Sequence, residues 1–132
     1  MTGDEARKTI ISLWLEKAGD SLKSAEVELK EGHTIFALNR TYYACFYAVS
    51  ALLYRDGKSF SKHSAVKAEF NRSYVKIGKV EKKWGRFYAD IFEKRQEGDY
   101  QPIISFDSED IASHIEKARE FVEVIRSLIS KS

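Results

Sequence analysis

The sequence contains little cysteine, proline and glycine, and each shortage excludes a class of protein. Its one cysteine, Cys45, cannot form an internal disulfide or a paired-cysteine metal site. One proline and seven glycines leave few places where a helix must break. No apolar run approaches the roughly 20 residues that span a bilayer, and the acidic start at Asp4 and Glu5 is unlike a signal peptide. We therefore expect a soluble, cytoplasmic protein without a membrane segment.

The composition that remains favours one helical domain. A chain of 132 residues with 43% hydrophobic residues suits a single core, so we predict one domain over residues 1–132. The charged share is 32%, which together with the scarcity of helix breakers favours long helices over a turn-rich β-sandwich. The predicted fold class is all-α.

Apolar residues recur every three or four positions in five segments, which is the spacing of amphipathic helices. Four of the helices are long and the third is short. Short connections between such helices favour antiparallel neighbours, so we predict an up-and-down bundle. The predicted helices cover residues 5–31, 34–55, 61–77, 80–97 and 108–129.

Capping and breaking signals set the predicted helix ends. A capping box at Thr2–Glu5 starts the first helix, and Ser61 is the predicted cap of the third. The stretch Gly98–Pro102 ends the fourth helix, which places a carboxylate and a phenol on a turn. Asp107 or Ser108 caps the last helix.

The formal net charge of +2 hides an uneven distribution. Residues 58–95 contain eleven Lys and Arg against four Asp and Glu, a balance of +7, whereas residues 1–57 and 96–132 carry −1 and −4. A basic middle segment can attract phosphate or nucleic acid. A solvated helical face with many lysines would give the same count.

The first candidate group is the run Asn39–Phe46 in the most apolar predicted helix, with Asn39, Arg40 and Tyr43 as its candidate binding residues. An arginine among aromatic residues needs a carboxylate, a phosphate or a stacked ring to offset its desolvation. Arg40 is therefore either half of a structural ion pair or a ligand for an anion, with Asp99 as one possible partner across the bundle.

The second candidate group is Ser61, Lys62 and His63 at the start of the third helix. Free amide hydrogens and the helix dipole favour an anion there, and two of these side chains add donors. The alternative is an ordinary helix start with a packed histidine.

The third candidate group is Arg95, Asp99 and Tyr100 near the end of the fourth helix. These side chains could form a polar site, or Asp99 could simply hold Arg95 and fix the following loop. No metal or other cofactor is predicted, because Asp110 and His114 are only two ligands on one helix face.

Five stretches occur in an order and spacing that resemble one known family: Ala37–Phe46, Leu52–Leu53, Lys62–His63, Phe70–Gly78 and Arg95–Tyr100. That family is the HEPN domain, and the sequence is most similar to its small stand-alone bacterial and archaeal branch. The resemblance extends from about residue 10 to residue 128.

The resemblance implies a helical bundle that forms a homodimer and is often encoded beside a minimal nucleotidyltransferase as a toxin–antitoxin pair. Many members are metal-independent RNases. In those, an Arg-x4-6-His motif from each protomer lines one composite cleft, where arginine stabilises charge on phosphorus and histidine handles a proton. This sequence departs from that pattern, since Asp99 or Tyr100 stands where the histidine after Arg95 is expected.

Three hypotheses for function follow. One is a binding module that partners a minimal nucleotidyltransferase in a toxin–antitoxin-like pair. Its binding residues for a nucleotide or RNA would be Asn39, Arg40, Tyr43, Lys62 and His63.

The second hypothesis is a divergent metal-independent RNase, with Arg95 as the electrostatic stabiliser and Asp99, Tyr100 or His63 in proton transfer. The third is a purely structural oligomerisation domain, whose arginines only pair with carboxylates. The discriminating feature is whether Arg40 and Arg95 lie in an open cleft or are sealed by ion pairs.

Overall fold

The computed structural model describes residues 2–100 and 106–131. Over those residues the chain forms five α-helices and one short π-helical segment, and it forms no strand. The predicted all-α, up-and-down bundle is confirmed. None of these helices combines the length and the apolar character needed to cross a membrane. The bounds are α1 Gly3–Lys30, α2 Thr34–Arg55, α3 His63–Phe70, the π-helical segment Asn71–Val75, α4 Lys82–Tyr100 and α5 Ser108–Ser130.

Helix α2 is the centre of the bundle and packs against α1, α4 and α5. Apolar side chains surround most of it, which is the pattern of a helix buried by neighbours on several sides. Leu38, Tyr42 and Leu52 are fully buried. Aromatic contacts continue outward from Tyr42, whose ring lies parallel to that of Tyr88 on α4, and Tyr88 in turn stacks on Phe121 of α5. The core is therefore aromatic where these three helices meet.

Cys45 lies on α2 and is fully buried among these core residues. Burial raises the pKa of its thiol, so the side chain stays protonated. Cys45 is therefore a small core residue.

Several predicted helix ends are confirmed. The Thr2 hydroxyl accepts a hydrogen bond from the Glu5 amide at 3.1 Å, and the Asp107 carboxylate accepts one from the Glu109 amide at 3.0 Å. After α1 and α2 the chain turns at Gly32 and Gly57, which adopt φ angles of +81° and +77°. Residues that have a Cβ rarely adopt such φ angles, so these two turns require glycine.

Helix α3 begins two residues later than predicted. The predicted cap at Ser61 is wrong, because Lys62 is the N-cap residue and its side chain makes no capping hydrogen bond. His63 is the first helical residue, and its ring stacks against Phe46 of α2, which fixes where the helix starts. After α3 the chain continues as the π-helical segment, so the predicted α-helix to residue 77 is also wrong.

Helix α4 extends farther than predicted, so the predicted turn at Gly98–Tyr100 is wrong. Pro102, the other part of that breaking signal, lies outside the described residues. Gly98 is buried, and a Cβ there would lie 3.2 Å from the Phe106 ring and 3.5 Å from Ile35. This glycine therefore serves close packing inside a helix rather than the end of one.

A buried carboxylate, Glu69, links α3 to the π-helical segment. Its side chain is only 5% exposed, and it accepts hydrogen bonds from Lys58 Nζ at 2.7 Å, from the Arg72 guanidinium and from the Ser73 hydroxyl. The bonds from Lys58, Ser73 and Arg72 lower the pKa of Glu69 to about 2, although burial acts in the opposite direction. Glu69, one of the few acidic residues of the basic segment 58–95, thus pairs with Lys58 and Arg72 of the same segment.

We expect Glu69→Gln to lower the free energy of unfolding by about 2 kcal/mol at pH 7, because hydrogen bonds to a charged acceptor are lost. The folded-state pKa is lower than the ordinary one of 4.5, so this stabilisation is complete above pH 4.5 and is lost as the pH falls towards 2. Urea unfolding at pH 7 and pH 3 should therefore show a smaller difference from wild type at pH 3.

The matched control is Glu116→Gln, since the Glu116 side chain is 73% exposed and pairs only loosely with Arg119 at 3.8 Å. It should leave the free energy of unfolding nearly unchanged at both pH values. An equal loss at pH 7 and pH 3 in the Glu69 variant would contradict this role of the ionised carboxylate.

Candidate functional site

Side chains from three helices meet at one end of the aromatic core. Tyr42, Tyr43 and Phe46 come from α2, His63 is the first residue of α3, and Arg95 lies near the end of α4. Tyr42 and Phe46 are one helical turn apart, so they share the face that meets α3 and α4. We refer to these five residues as the Arg95–His63 cluster.

Two contacts fix the imidazole of His63 in this cluster. Its ring stacks on Phe46 with the centroids 4.1 Å apart, and its Nδ1 lies 2.9 Å from the Tyr42 hydroxyl oxygen. Nε2 is the nitrogen that Tyr42 does not engage. Burial, together with the positive charge of Arg95, lowers the pKa of His63, so its imidazole is neutral at pH 7.

The guanidinium of Arg95 lies over two tyrosine rings, with its central carbon 4.6 Å from the Tyr42 centroid and 5.8 Å from that of Tyr43. Its Nη1 donates to Asp99 Oδ2 at 3.2 Å, and its side chain is 12% exposed. The buried Nε has no hydrogen-bond partner among the described residues. Because a guanidinium has five N–H donors, Arg95 keeps donor capacity that an anionic ligand could use.

Tyr42 contacts both His63 and Arg95. Its hydroxyl bonds to His63, and its ring faces the Arg95 guanidinium. Burial raises the pKa of Tyr42 and that of its neighbour Tyr88. Both phenols therefore stay protonated, and Tyr42 holds His63 in place as a neutral hydrogen-bonding group.

A polar cavity of about 390 Å³ lies beside the cluster, between α1 and α2. Tyr43 lies at the boundary of the two, because it lines this cavity and its ring centroid is 5.6 Å from that of His63. The cavity is large enough for one nucleotide-sized ligand. Its lining residues are Lys17, Asp20, Ser21, Ser24, Asn39, Arg40, Tyr43 and Tyr47.

Arg40 is an exposed side chain of this cavity and not a buried one. Its Nη1 donates to Asn39 Oδ1 at 2.7 Å, and no ion pair to it is found in the part of the chain that the structure describes. The ion-pair alternative for Arg40 is therefore wrong, as is a contact with Asp99, which pairs with Arg95 instead. The reason is that Arg40 projects from the α1 side of α2 and avoids the desolvation that the sequence argument assumed.

The structure brings some of the predicted site residues together and separates others. His63, Tyr43, Arg95 and Asp99 are neighbours, and Asn39 and Arg40 share the adjoining cavity through Tyr43. Lys62 is exposed just before α3, and Tyr100 is 76% exposed at the end of α4. Neither makes a hydrogen bond or ring contact with the cluster among the described residues.

Tyr42 and Phe46 belong to the first candidate group but were not among its predicted binding residues. Both are assigned to the core by their helical spacing, and Tyr42 is indeed fully buried. Their positions three and seven residues after Asn39 were the available signal, because that spacing places polar and aromatic side chains near one another on a helix. The identity of their partner, His63, depends on the tertiary fold.

Comparisons with known proteins agree on one family. The sequence pattern of the HEPN domain matches residues 11–128. A UPF0332 protein of Thermotoga maritima is 46% identical over 123 residues, which is 93% of each chain. Two proteins of Methanocaldococcus jannaschii are 29% and 27% identical, covering 89% and 92% of this chain and 81% and 90% of their own, and both are named as candidate toxins.

We expect the pKa of His63, measured by NMR titration of its ring signals, to lie below the ordinary value of 6.5, because burial and Arg95 both oppose its protonation. Arg95→Gln removes the second cause and should raise that pKa. Since the folded-state pKa is the lower one, the contribution of His63 to stability is present above pH 6.5 and is lost as the pH falls below it.

The control is Arg126→Gln, which removes a partly exposed guanidinium on α5 whose ion pair in the described part of the chain is with Glu123. This variant should leave the His63 titration where it is in wild type. A His63 titration unmoved by Arg95→Gln would show that the guanidinium does not act on the imidazole.

Proposed function

Because the chain belongs to the HEPN domain family, we propose that it is the toxin-like half of a toxin–antitoxin-like pair and that it binds RNA at the Arg95–His63 cluster. The relatives named as candidate toxins support the first part. The observation that carries the second part is Arg95, which is mostly buried and, among the residues that the structure describes, has one carboxylate partner and an Nε without a hydrogen-bond partner.

A phosphate is the ligand that fits Arg95 best. Its oxygens can accept hydrogen bonds from the Arg95 N–H groups that do not bond to Asp99. Such bonds are stronger in a site from which water is partly excluded. Tyr43 lies at the edge of the same site and offers a ring on which a base can stack. The cavity with Asn39 and Arg40 then holds the next nucleotide, and the exposed Lys62 adds positive charge at the rim.

We also propose that the protein forms a homodimer and that its partner is a minimal nucleotidyltransferase, as the family implies. Leu13, Val27 and Phe36 support an interface on this chain, since they are large apolar side chains that are 53%, 59% and 57% exposed.

Metal-independent RNA cleavage is a second candidate function, and one observation favours it. Although the histidine expected after Arg95 is missing, the fold brings a neutral histidine, His63, to the same two tyrosine rings that contact Arg95. A neutral imidazole beside a guanidinium is the pair that this chemistry requires. The substituted motif is then completed by a residue from α3.

In this reaction the ribose 2′-hydroxyl gives its proton to His63 Nε2 as its oxygen forms a bond to phosphorus. This step requires the tautomer in which Nδ1 carries the ring hydrogen and donates a hydrogen bond to the Tyr42 oxygen, 2.9 Å away. The bond from phosphorus to the 5′ oxygen breaks, and that oxygen takes a proton from water. The hydroxide left behind takes the proton from His63. The products are a 2′,3′-cyclic phosphate and a 5′-hydroxyl, and Arg95 stabilises the negative charge on the phosphorane.

We expect Arg95→Ala to weaken the binding of a fluorescein-labelled 12-nucleotide single-stranded RNA by about 10- to 100-fold, the worth of hydrogen bonds to a charged group. Fluorescence anisotropy measures the loss, and circular dichroism checks the fold. Arg95→Lys keeps the charge without the planar donor set, so its affinity for the RNA should lie between those of wild type and Arg95→Ala. Arg126→Ala removes the same charge elsewhere and should bind as wild type does. Unchanged binding by a folded Arg95→Ala protein would overturn the proposed site.

For cleavage, we expect wild type to cut RNA in the presence of EDTA and His63→Ala to reduce the rate by about 100- to 10,000-fold, the usual contribution of a proton-transferring group. The rate should also fall once the pH drops below the lowered pKa of His63, because the base becomes protonated. His114→Ala is the control, since His114 lies on α5 and contacts Lys94 and not the residues of the cluster, as far as the described chain shows. A wild-type protein that binds RNA and never cuts it would eliminate this second candidate alone.

A further inference from the structure

A second groove lies where α4 meets α3 and the π-helical segment, and has a volume of about 650 Å³. Its apolar floor is formed by Ala68, Val75, Gly85 and Ala89. Four cationic residues also line it, and no acidic residue does. Those cations are Arg72, Lys76, Lys82 and Arg86.

Close packing makes the floor of this groove shallow and firm. A Cβ on Gly85 would lie 2.9 Å from Val75 Cγ1 and 3.2 Å from Asn71 Oδ1, so α4 approaches the π-helical segment as closely as a glycine allows. The π-helical turn widens the helix locally, a feature that is frequent at functional sites. The groove is therefore a formed surface and not a gap between loosely packed side chains.

Three of the four cations are available for a ligand. Arg72 pairs with Glu69, whereas Lys76, Lys82 and Arg86 are exposed and form no ion pair within the described part of the chain. Unpaired positive charges gathered around an apolar floor attract a ligand that has negative charge along its length and flat apolar faces.

The groove and the Arg95–His63 cluster are formed on the same two helices, α3 and α4. His63 begins α3 and Arg95 lies near the end of α4, while the groove lies farther along each helix. Lys67 lies between them, with its Nζ 4.5 Å from the centroid of the Phe92 ring. From Lys82 to Arg95 the α4 axis rises about 20 Å at 1.5 Å per residue.

We propose that this groove binds the phosphates of the nucleotides that flank the Arg95–His63 cluster, so that the ligand is an RNA strand and not a mononucleotide. The inference rests on the proposed function. A length of about 20 Å matches roughly six stacked nucleotides at 3.4 Å each. An acidic protein could satisfy the charges alone, but the apolar floor and the position of the groove on the same two helices as the cluster favour a strand with bases.

The test is the affinity of single-stranded RNAs of 3, 6, 9 and 12 nucleotides for the full chain, measured by anisotropy. Wild-type affinity should rise from 3 to about 9 nucleotides and then level off. The triple variant Lys76→Gln, Lys82→Gln, Arg86→Gln should bind the 3-nucleotide RNA as wild type does and the 12-nucleotide RNA about tenfold more weakly. Its salt dependence should also be shallower, by about 0.7 for each lost phosphate contact.

The matched control changes three exposed lysines elsewhere, Lys8→Gln, Lys30→Gln and Lys131→Gln, and should bind every RNA as wild type does. Equal losses in control and groove variants would overturn the groove, because net charge alone would then explain them. Displacement of the 12-nucleotide RNA by an oligoglutamate of equal charge would overturn it in favour of an acidic protein ligand.

The binding measurements distinguish an error in the groove proposal from an error in the proposed RNA site at the Arg95–His63 cluster. If the triple variant binds all lengths as wild type does while Arg95→Ala binds none, the groove is wrong and the cluster stands. If Arg95→Ala binds normally while the triple variant loses only the longer RNAs, the groove stands and the cluster is not the RNA site. If wild type binds no RNA of any length, both proposals are wrong.

Discussion

The site depends on two contacts of Tyr42, a side chain that is buried where three helices meet. Its hydroxyl bonds to His63 at the start of α3, and its ring lies beneath the Arg95 guanidinium from α4. A phenol can do both because its edge is polar and its face attracts cations. The position of α2 in the bundle thus sets the distance between an imidazole and a guanidinium that come from separate helices.

The local parts of the structure could be predicted from the sequence, and the parts that depend on distant contacts could not. The bounds of α2 follow from its apolar pattern and the flanking Gly32 and Gly57. The start of α3 depends instead on the stacking of His63 on Phe46, a residue 17 positions earlier. Glycine is typical of helix ends, yet Gly98 lies inside α4, where the absence of a Cβ makes room for Phe106.

The same division applies to the candidate site. Arg95 and Asp99 are four residues apart on one helix, so their pairing was open to sequence reasoning. The pairing of Tyr42 with His63 spans 21 residues and two helices. Arg40 shows the opposite error, since an arginine in an apolar stretch can still lie on the one face of its helix that meets solvent. The periodicity of a sequence gives faces, whereas tertiary packing decides which neighbour each face meets.

The burial of Cys45 has a practical side. The protein carries a single thiol, and it is enclosed in the core and kept protonated, so reagents that attack thiolates will not reach it while the chain is folded. A cysteine placed at any exposed position would then be the one reactive thiol of the molecule. Spectroscopic labels could be attached on either side of α4 without first removing the native residue, and reaction of Cys45 itself would report unfolding.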